Sequence, residues 1–183
     1  NDDLSSLVAA LLKADENEGS DLVGTLSGDG PFTVFAPTNE AFTALLADLD
    51  GFDSLSDFDT DEEKALLAEI LKYHVVAGTA AASTDLSEGQ EIPTVQTESV
   101  KVSLEDGVFI NNAEVVIADV PTSNGIVHVI NKVLVPQAVL NALNAQDLVD
   151  VVIATEGLSA LEAAVIKADL VDTLKGDGPF TVF

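Results

Sequence analysis

The sequence predicts an α+β fold, and three observations predict it. From Leu4 through Leu71 the apolar residues recur at helical spacing, whereas from Ile92 to Val135 they alternate with a period of two. Helices gathered before strands, instead of interleaved with them, are the arrangement of α+β architectures. The third observation is the run Gly30–Phe42, Gly-Pro-Phe-Thr-Val-Phe-Ala-Pro-Thr-Asn-Glu-Ala-Phe, which holds a strand, a stop and a helix start in succession.

In chain order, Leu4, Leu7, Val8, Leu11 and Leu12 fall at i, i+3, i+4, i+7 and i+8 and are expected to form the buried face of a first helix. Asp15–Ser20 reads as a polar loop, and Leu22, Val23 and Leu26 as a short helix ending at Gly28. Phe32 and Val34 alternate with Thr33 like a strand with one buried face, and Pro37, lacking an N–H, stops the ladder. Thr38 or Asn39 caps the next helix, with Glu40 in its first turn and an apolar face starting at Phe42. An acidic loop, Asp50–Asp59, follows, anchored by Phe52, Leu55 and Phe58. Thr60-Asp61-Glu62-Glu63 then has the form of a capping box opening a helix that turns Leu66, Leu67, Ile70 and Leu71 inward. Val100, Val102 and Leu104 form a strand, Asp106-Gly107 a hairpin turn, and Val108 with Ile110 the return. Val115–Ile117 is a further strand, and the stretch Asn124–Pro136 the last one.

Three motifs carry a resemblance. Gly30–Phe42, the pair Tyr73-His74 and the run from Gly125 through His128 and Val129 to Pro136 stand in the order and spacing of the signatures of the fasciclin domain, a cell-surface adhesion module. The resemblance covers residues 1–137. It implies a β-rich wedge or sandwich with α-helices packed along one side, in which Phe32, Val34, Pro37, Thr38, Phe42, Tyr73, His74, Gly125, His128, Val129 and Pro136 are structural motif residues.

Residues 138–183 are expected to be the helical start of a second, partial repeat. Leu158 through Asp169 matches Leu4 through Asp15, and Asp169 through Phe183 matches Asp21 through Phe35, so the second copy lacks the six-residue polar loop. Before it, Gln146–Glu156 reads as an amphipathic helix with Leu148, Val149 and Val152. Nothing equivalent stands before Asn1, so the first copy is expected to lack its opening helix, and the chain to be a window of a tandem array. The second copy's Leu158, Leu161, Phe180 and Val182 need the rest of a core, because so short a piece cannot bury its own apolar faces. These residues, with the Gln146–Glu156 helix, are the candidate assembly element.

Composition narrows the function. Seven lysines, no arginine and 32 acids give a formal charge of −25, while 47% of residues are apolar. That pairing describes a folded domain with an acidic surface, not a disordered chain. Such a surface repels itself until molar salt shortens the Debye length to roughly 3 Å, which suggests a halophile, in our reading an archaeon. Nucleic acid and anionic membrane surfaces are poor partners for it, since phosphate binding needs clustered cations. No apolar run reaches the roughly 20 residues of a membrane span. Asn1 is followed by acids, so an exported protein is represented here by its mature part. Cysteine is absent, which removes disulfides and thiolate chemistry, and no Asn-x-Ser/Thr acceptor occurs.

Catalytic chemistry finds little footing. Gly-x-Ser-x-Gly, phosphate loops and dinucleotide fingerprints do not occur, and the two histidines, His74 and His128, sit at motif positions where the ring serves the fold. Asp57-Phe58-Asp59-Thr60-Asp61 begins like a calcium loop, but Glu62 replaces the turn glycine and Ala68 the bidentate glutamate. A loose cation site at Asp48, Asp50 and Asp53 is the remaining form of that idea; otherwise these are solvated acids ahead of a capped helix. No cofactor or metal is expected. The reading is therefore a non-enzymatic extracellular or cell-surface adhesion or scaffold protein, built of tandem repeats and contacting other proteins, among them copies of itself, in a head-to-tail filament or surface layer. The alternative is an extracellular module holding a sugar or other small molecule in a groove between helices and sheet.

Overall fold

A computed structural model describes residues 2–17, 19–49 and 52–143. Five α-helices are described: α1 Ser5–Ala14, α2 Leu22–Ser27, α3 Asn39–Ala47, α4 Asp61–Tyr73 and α5 Gln137–Leu143. Seven strands accompany them: β1 Phe32–Pro37, β2 Val75–Ala77, β3 Glu91–Pro93, β4 Ser99–Ser103, β5 Phe109–Ile110, β6 Ala113–Pro121 and β7 Gly125–Ile130. The strands make one sheet in the order β2-β1-β7-β6-β5-β4-β3. All pairs are antiparallel except β1 with β7, which runs from Phe32 opposite Gly125 to Pro37 opposite Ile130.

Local chemistry sets the helix starts. The Thr38 hydroxyl accepts from the Ala41 N–H at 3.2 Å, which makes Thr38 the cap of α3. Thr60 and Glu63 form the reciprocal capping box of α4. Asn39 instead serves the neighbouring helix, where its Oδ1 accepts from the Ser6 N–H at 2.8 Å, so α3 satisfies a free donor at the start of α1. Asp15 folds the polar loop by accepting from the Leu22 and Val23 N–H groups at 2.8 and 2.9 Å and from the Ser20 hydroxyl. Burial raises the Asp15 carboxyl, but those backbone and hydroxyl donors outweigh it and leave the group below the usual carboxylate range.

The face of α1 differs from the sequence expectation. α1 packs on α3 and α4 through Ala10 and Ala14, both fully buried, with Leu7 and Leu11 partly covered, while Val8 and Leu12 are 55% and 59% exposed. With the alanines on the buried side, the larger Val8 and Leu12 fall on the solvent side. In β1 the alternation is also offset: Thr33 and Phe35 are the deeply buried residues, whereas Phe32 and Val34 are half-buried. None of Phe32–Pro37 is exposed, so both faces of β1 are covered, and the polar Thr33 is tolerated because its hydroxyl donates to the Thr79 carbonyl and accepts from the Ala81 N–H.

A core of Phe35, Tyr73, Val76, Leu86, Ile92, Val100, Val102, Ile110, Ala113, Ile130 and Leu134 lies on the sheet. Phe42, Phe58, Leu67, Ile70 and Leu71 are likewise buried. The last strand ends at Ile130, short of the expected Pro136. Asn131 turns the chain away by bonding Glu114, and Val133, Leu134 and Pro136 are buried without ladder pairing. Residues Asn1–Leu140 form one compact unit, and a second begins at Asn141. The expectations for Leu148, Val149, Val152, Leu158, Leu161, Phe180 and Val182 lie outside the described residues.

Candidate functional site

The motif residues converge on three ties, two that start from the end of α4 and one within the sheet. The first is His74, which follows α4 and is 1% exposed. Its Nδ1 lies 2.7 Å from the Ile70 carbonyl, and its Nε2 accepts from the Leu134 N–H at 2.9 Å. An N–H donor on one side requires an acceptor ring nitrogen there, so the neutral tautomer with the proton on Nδ1 satisfies both contacts. The ring thus closes one of the last carbonyls of α4 and pins the segment after β7. Burial pushes its pKa down to about 4, so the ring is neutral near pH 7.

The second tie is the Tyr73 hydroxyl, which donates to the Ser99 carbonyl at 3.1 Å and accepts from Asn111 Nδ2 at 3.0 Å. Asn111 sits at φ 54° between β5 and β6 and takes the Lys101 N–H with its Oδ1, so one tyrosine reaches β4 and the β5–β6 turn together. The third is His128, 1% exposed and stacked on Phe35 at 5.9 Å between ring centres. Its Nε2 lies 2.9 Å from the Ala81 carbonyl, and its Nδ1 is 3.3 Å from the Asp119 N–H. Asp119, at φ 58° in an irregular part of β6, accepts from both the hydroxyl and the N–H of Ser83. Those Ser83 bonds hold the Asp119 carboxyl below its ordinary range.

Ser83, Asp119 and His128 resemble a catalytic list by residue type only. The serine hydroxyl donates to the carboxylate and not to the imidazole, and both ring nitrogens already face backbone groups, so the serine–imidazole contact of a catalytic triad is not made. Of the acids after α3, Asp48 ends that helix, Asp57 accepts from the Ser54 N–H, Asp59 pairs with Lys13 at 3.2 Å, and Asp61 opens α4. Among the described residues, no group of three or more histidine and acid side chains is placed to hold a metal ion. Asp50 is outside the described residues.

Gly30, just before β1, and Gly125, at the start of β7, stand against backbone that leaves no room for a side chain. A Cβ on Gly125 would stand 2.1 Å from the Phe32 carbonyl oxygen, and one on Gly30 1.9 Å from that of Asn124. Glycine is therefore required at both. Asn124 bonds the Leu26 and Gly28 carbonyls with its amide, closing the end of α2 over a groove of about 220 Å3 that Phe32 and Val34 line. A second groove, of about 390 Å3, lies between the start of α3 and β6, with Thr38, Asn39, Glu40 and Asp3 on one side and Val116, Ile117 and Val129 on the other. Pro37 ends β1, Phe42 is buried beneath α3, and the Pro136 carbonyl accepts from Leu140 as α5 begins.

Sequence reasoning found the two histidines, Tyr73 and Gly125, and missed their partners Asn111, Asn124, Asp119 and Ser83. Polar residues in turns are common, and only the tertiary contacts distinguish these four from solvated loop residues. The adjacent apolar pair Val116-Ile117 broke the period-two pattern and was the one available sign of the second groove.

A sheet with one parallel pair, β1 with β7, tied to α4 by buried imidazole and phenol groups, defines an α+β module. The Fasciclin domain profile matches residues 3–136, and the chain belongs to that family. Similar curated proteins include Protein sll1483 of Synechocystis sp., 41% identical over 137 residues, 74% of this chain and 69% of that protein. Stabilin-2 of Rattus norvegicus is 37% identical over 120 residues, 64% of this chain and 8% of that protein. Cell surface glycolipoprotein MPT83 of Mycobacterium tuberculosis is 36% identical over 138 residues, 75% of this chain and 58% of that protein. The fold is similar to that of a domain pair from the insect cell adhesion molecule fasciclin I, with a TM-score of 0.50 and 18% identity over 93% of this chain and 56% of that one.

Proposed function

We propose that this chain is a non-enzymatic module of an extracellular or cell-surface protein and that it works by protein–protein contact, in adhesion or as a scaffold. Relatives named as a cell surface glycolipoprotein and a solved structure from a cell adhesion molecule support that class. The observation that carries it is the placement of apolar side chains on an otherwise acidic surface. Val8 and Leu12 on α1 and Val23 on α2 are 55%, 59% and 41% exposed. By the internal repeat, Leu12 corresponds to Ile166 and Val23 to Val171, so these two positions stay apolar in both copies, whereas Val8 corresponds to Glu162. Apolar residues kept at exposed positions by a chain so rich in acids mark a surface that is covered in the assembled protein.

In this reading the cover is protein from a neighbouring repeat, with Leu148, Val149 and Val152 as its apolar side, and the contact propagates head to tail into a filament or layer. The second reading is a sugar or small-molecule site: the groove lined by Phe32 and Val34 falls below the roughly 300–1,000 Å3 of typical ligand pockets, whereas the α3–β6 groove of about 390 Å3 lies within that range. Deleting residues 144–183 tests the assembly while keeping Val139, which is buried in the first unit. At molar salt, light scattering should give oligomers or chains for residues 1–183 and a monomer for residues 1–143. Monomers for both would overturn the assembly reading.

A further inference from the structure

The groove between α3 and β6 is built differently from the rest of the surface. Opposite Val129, β6 slips register between Val115 and Ile117, and again between Ile117 and Val120. Such bulges set extra residues on one strand against fewer on the other and re-aim their side chains. Here the consecutive residues Val116 and Ile117 both line the groove, each 49% exposed, above the buried Val129. Its charged lining residues are Asp3 and Glu40, both acids and neither in an ion pair among the described residues, and no lysine lines it. Beside it, β5 pairs with β6 only at Ala113 and Glu114, so beyond Val115 the outer edge of β6 has no strand partner among the described residues.

We propose that this groove is a docking site for an extended, cationic segment of a partner protein, with an apolar side chain on Val116 and Ile117 and lysine or arginine beside Asp3 and Glu40. The proposal rests on the contact-module reading and names a surface and a partner chemistry for it. Charge complementarity selects this occupant. A second copy would bring another −25 to a groove already rimmed by carboxylates. The β6 edge also resists pairing flush with its own copy, because the two bulges, the left-handed Asp119 and Pro121 interrupt a regular ladder. An extended segment that contributes its own side chains needs only the groove floor and short stretches of the free edge.

The test uses residues 1–183 at 0.1 M salt and a fluorescent decapeptide of alternating valine and lysine, read by anisotropy. Saturable binding is expected. Ile117→Ser, Val116→Ser and the pair Asp3→Asn with Glu40→Gln should each weaken it at least tenfold. The charge-matched control, Glu105→Gln with Asp106→Asn on the β4–β5 turn, should change it less than twofold, and a valine–glutamate peptide should not bind. Circular dichroism of each variant confirms folding, and Val116 and Ile117 are exposed enough for either serine to be tolerated. Equal losses in groove and control pairs would mean attraction to bulk charge and would overturn the proposal, as would an absence of peptide binding. Light scattering of the same variants at molar salt separates the two readings: oligomers that persist without peptide binding sink the groove alone, whereas monomers without peptide binding sink both.

Discussion

His74 offers the most demanding check on how the helices and sheet are joined. In His74→Ala, the Leu134 N–H and the Ile70 carbonyl each lose their ring partner inside the protein, and the space of a fully buried imidazole is emptied. A buried donor left unsatisfied costs about 1–3 kcal/mol, and adding the lost packing gives a total of about 3 kcal/mol. His74→Gln should lose about half of that, because an amide oxygen can still accept from Leu134. The pH dependence is more specific than the loss itself. The folded pKa, about 4, lies below the ordinary 6.5, so between those values the unfolded chain binds the proton that the folded chain refuses. The stability contributed by the neutral ring is complete above about pH 6.5 and is lost as pH falls to about 4, a change of about 3 kcal/mol at 1.36 kcal/mol per pH unit. Acid also neutralises carboxylates and relieves repulsion, which acts in the opposite direction, so the difference between parent and His74→Gln is the quantity to follow. Urea unfolding of both from pH 7 to pH 4 should show the parent's advantage shrinking and reversing. An advantage that stays constant over that range would refute the buried neutral ring.

Other outcomes follow from the same contacts. Tyr73→Phe removes bonds to Ser99 and Asn111 and should cost about 1–2 kcal/mol in urea unfolding, with no change in far-ultraviolet circular dichroism. Gly125→Ala forces a Cβ against the Phe32 carbonyl at 2.1 Å and should cost about 3 kcal/mol or more, read as a collapse of the thermal transition or loss of soluble protein. With 32 acids against seven lysines, the melting temperature should rise steadily from dilute to molar sodium or potassium chloride, and a salt-independent value would remove the repulsion argument.

Much of this architecture was legible in the sequence, for physical reasons that also explain the failures. Thr60, Glu63 and Thr38 announce helix starts because capping is local chemistry, and Asp106-Gly107 announces a turn because few residues tolerate its backbone. The face of α1 was misassigned because periodicity weights large side chains, whereas the small Ala10 and Ala14 are the buried ones. In β1, burial on both faces erases the alternation that would tell Phe32 and Val34 from Thr33 and Phe35. The parallel pairing of β1 with β7 joins residues far apart in sequence and leaves no local mark beyond Gly30 and Gly125. The roles of His74 and His128 depended on carbonyl and N–H groups of Ile70, Leu134, Ala81 and Asp119, which no side-chain pattern specifies.

The central claim is that the exposed apolar face of α1 and α2 is a contact surface between repeats. The direct measurement is sedimentation velocity at molar salt on residues 1–183 and on the double variant Leu12→Ser with Val23→Ser, whose side chains are already half exposed and contribute little to the core. The parent should sediment as oligomers or chains and the double variant as a monomer of unchanged thermal stability. A double variant that assembles like its parent would contradict the claim.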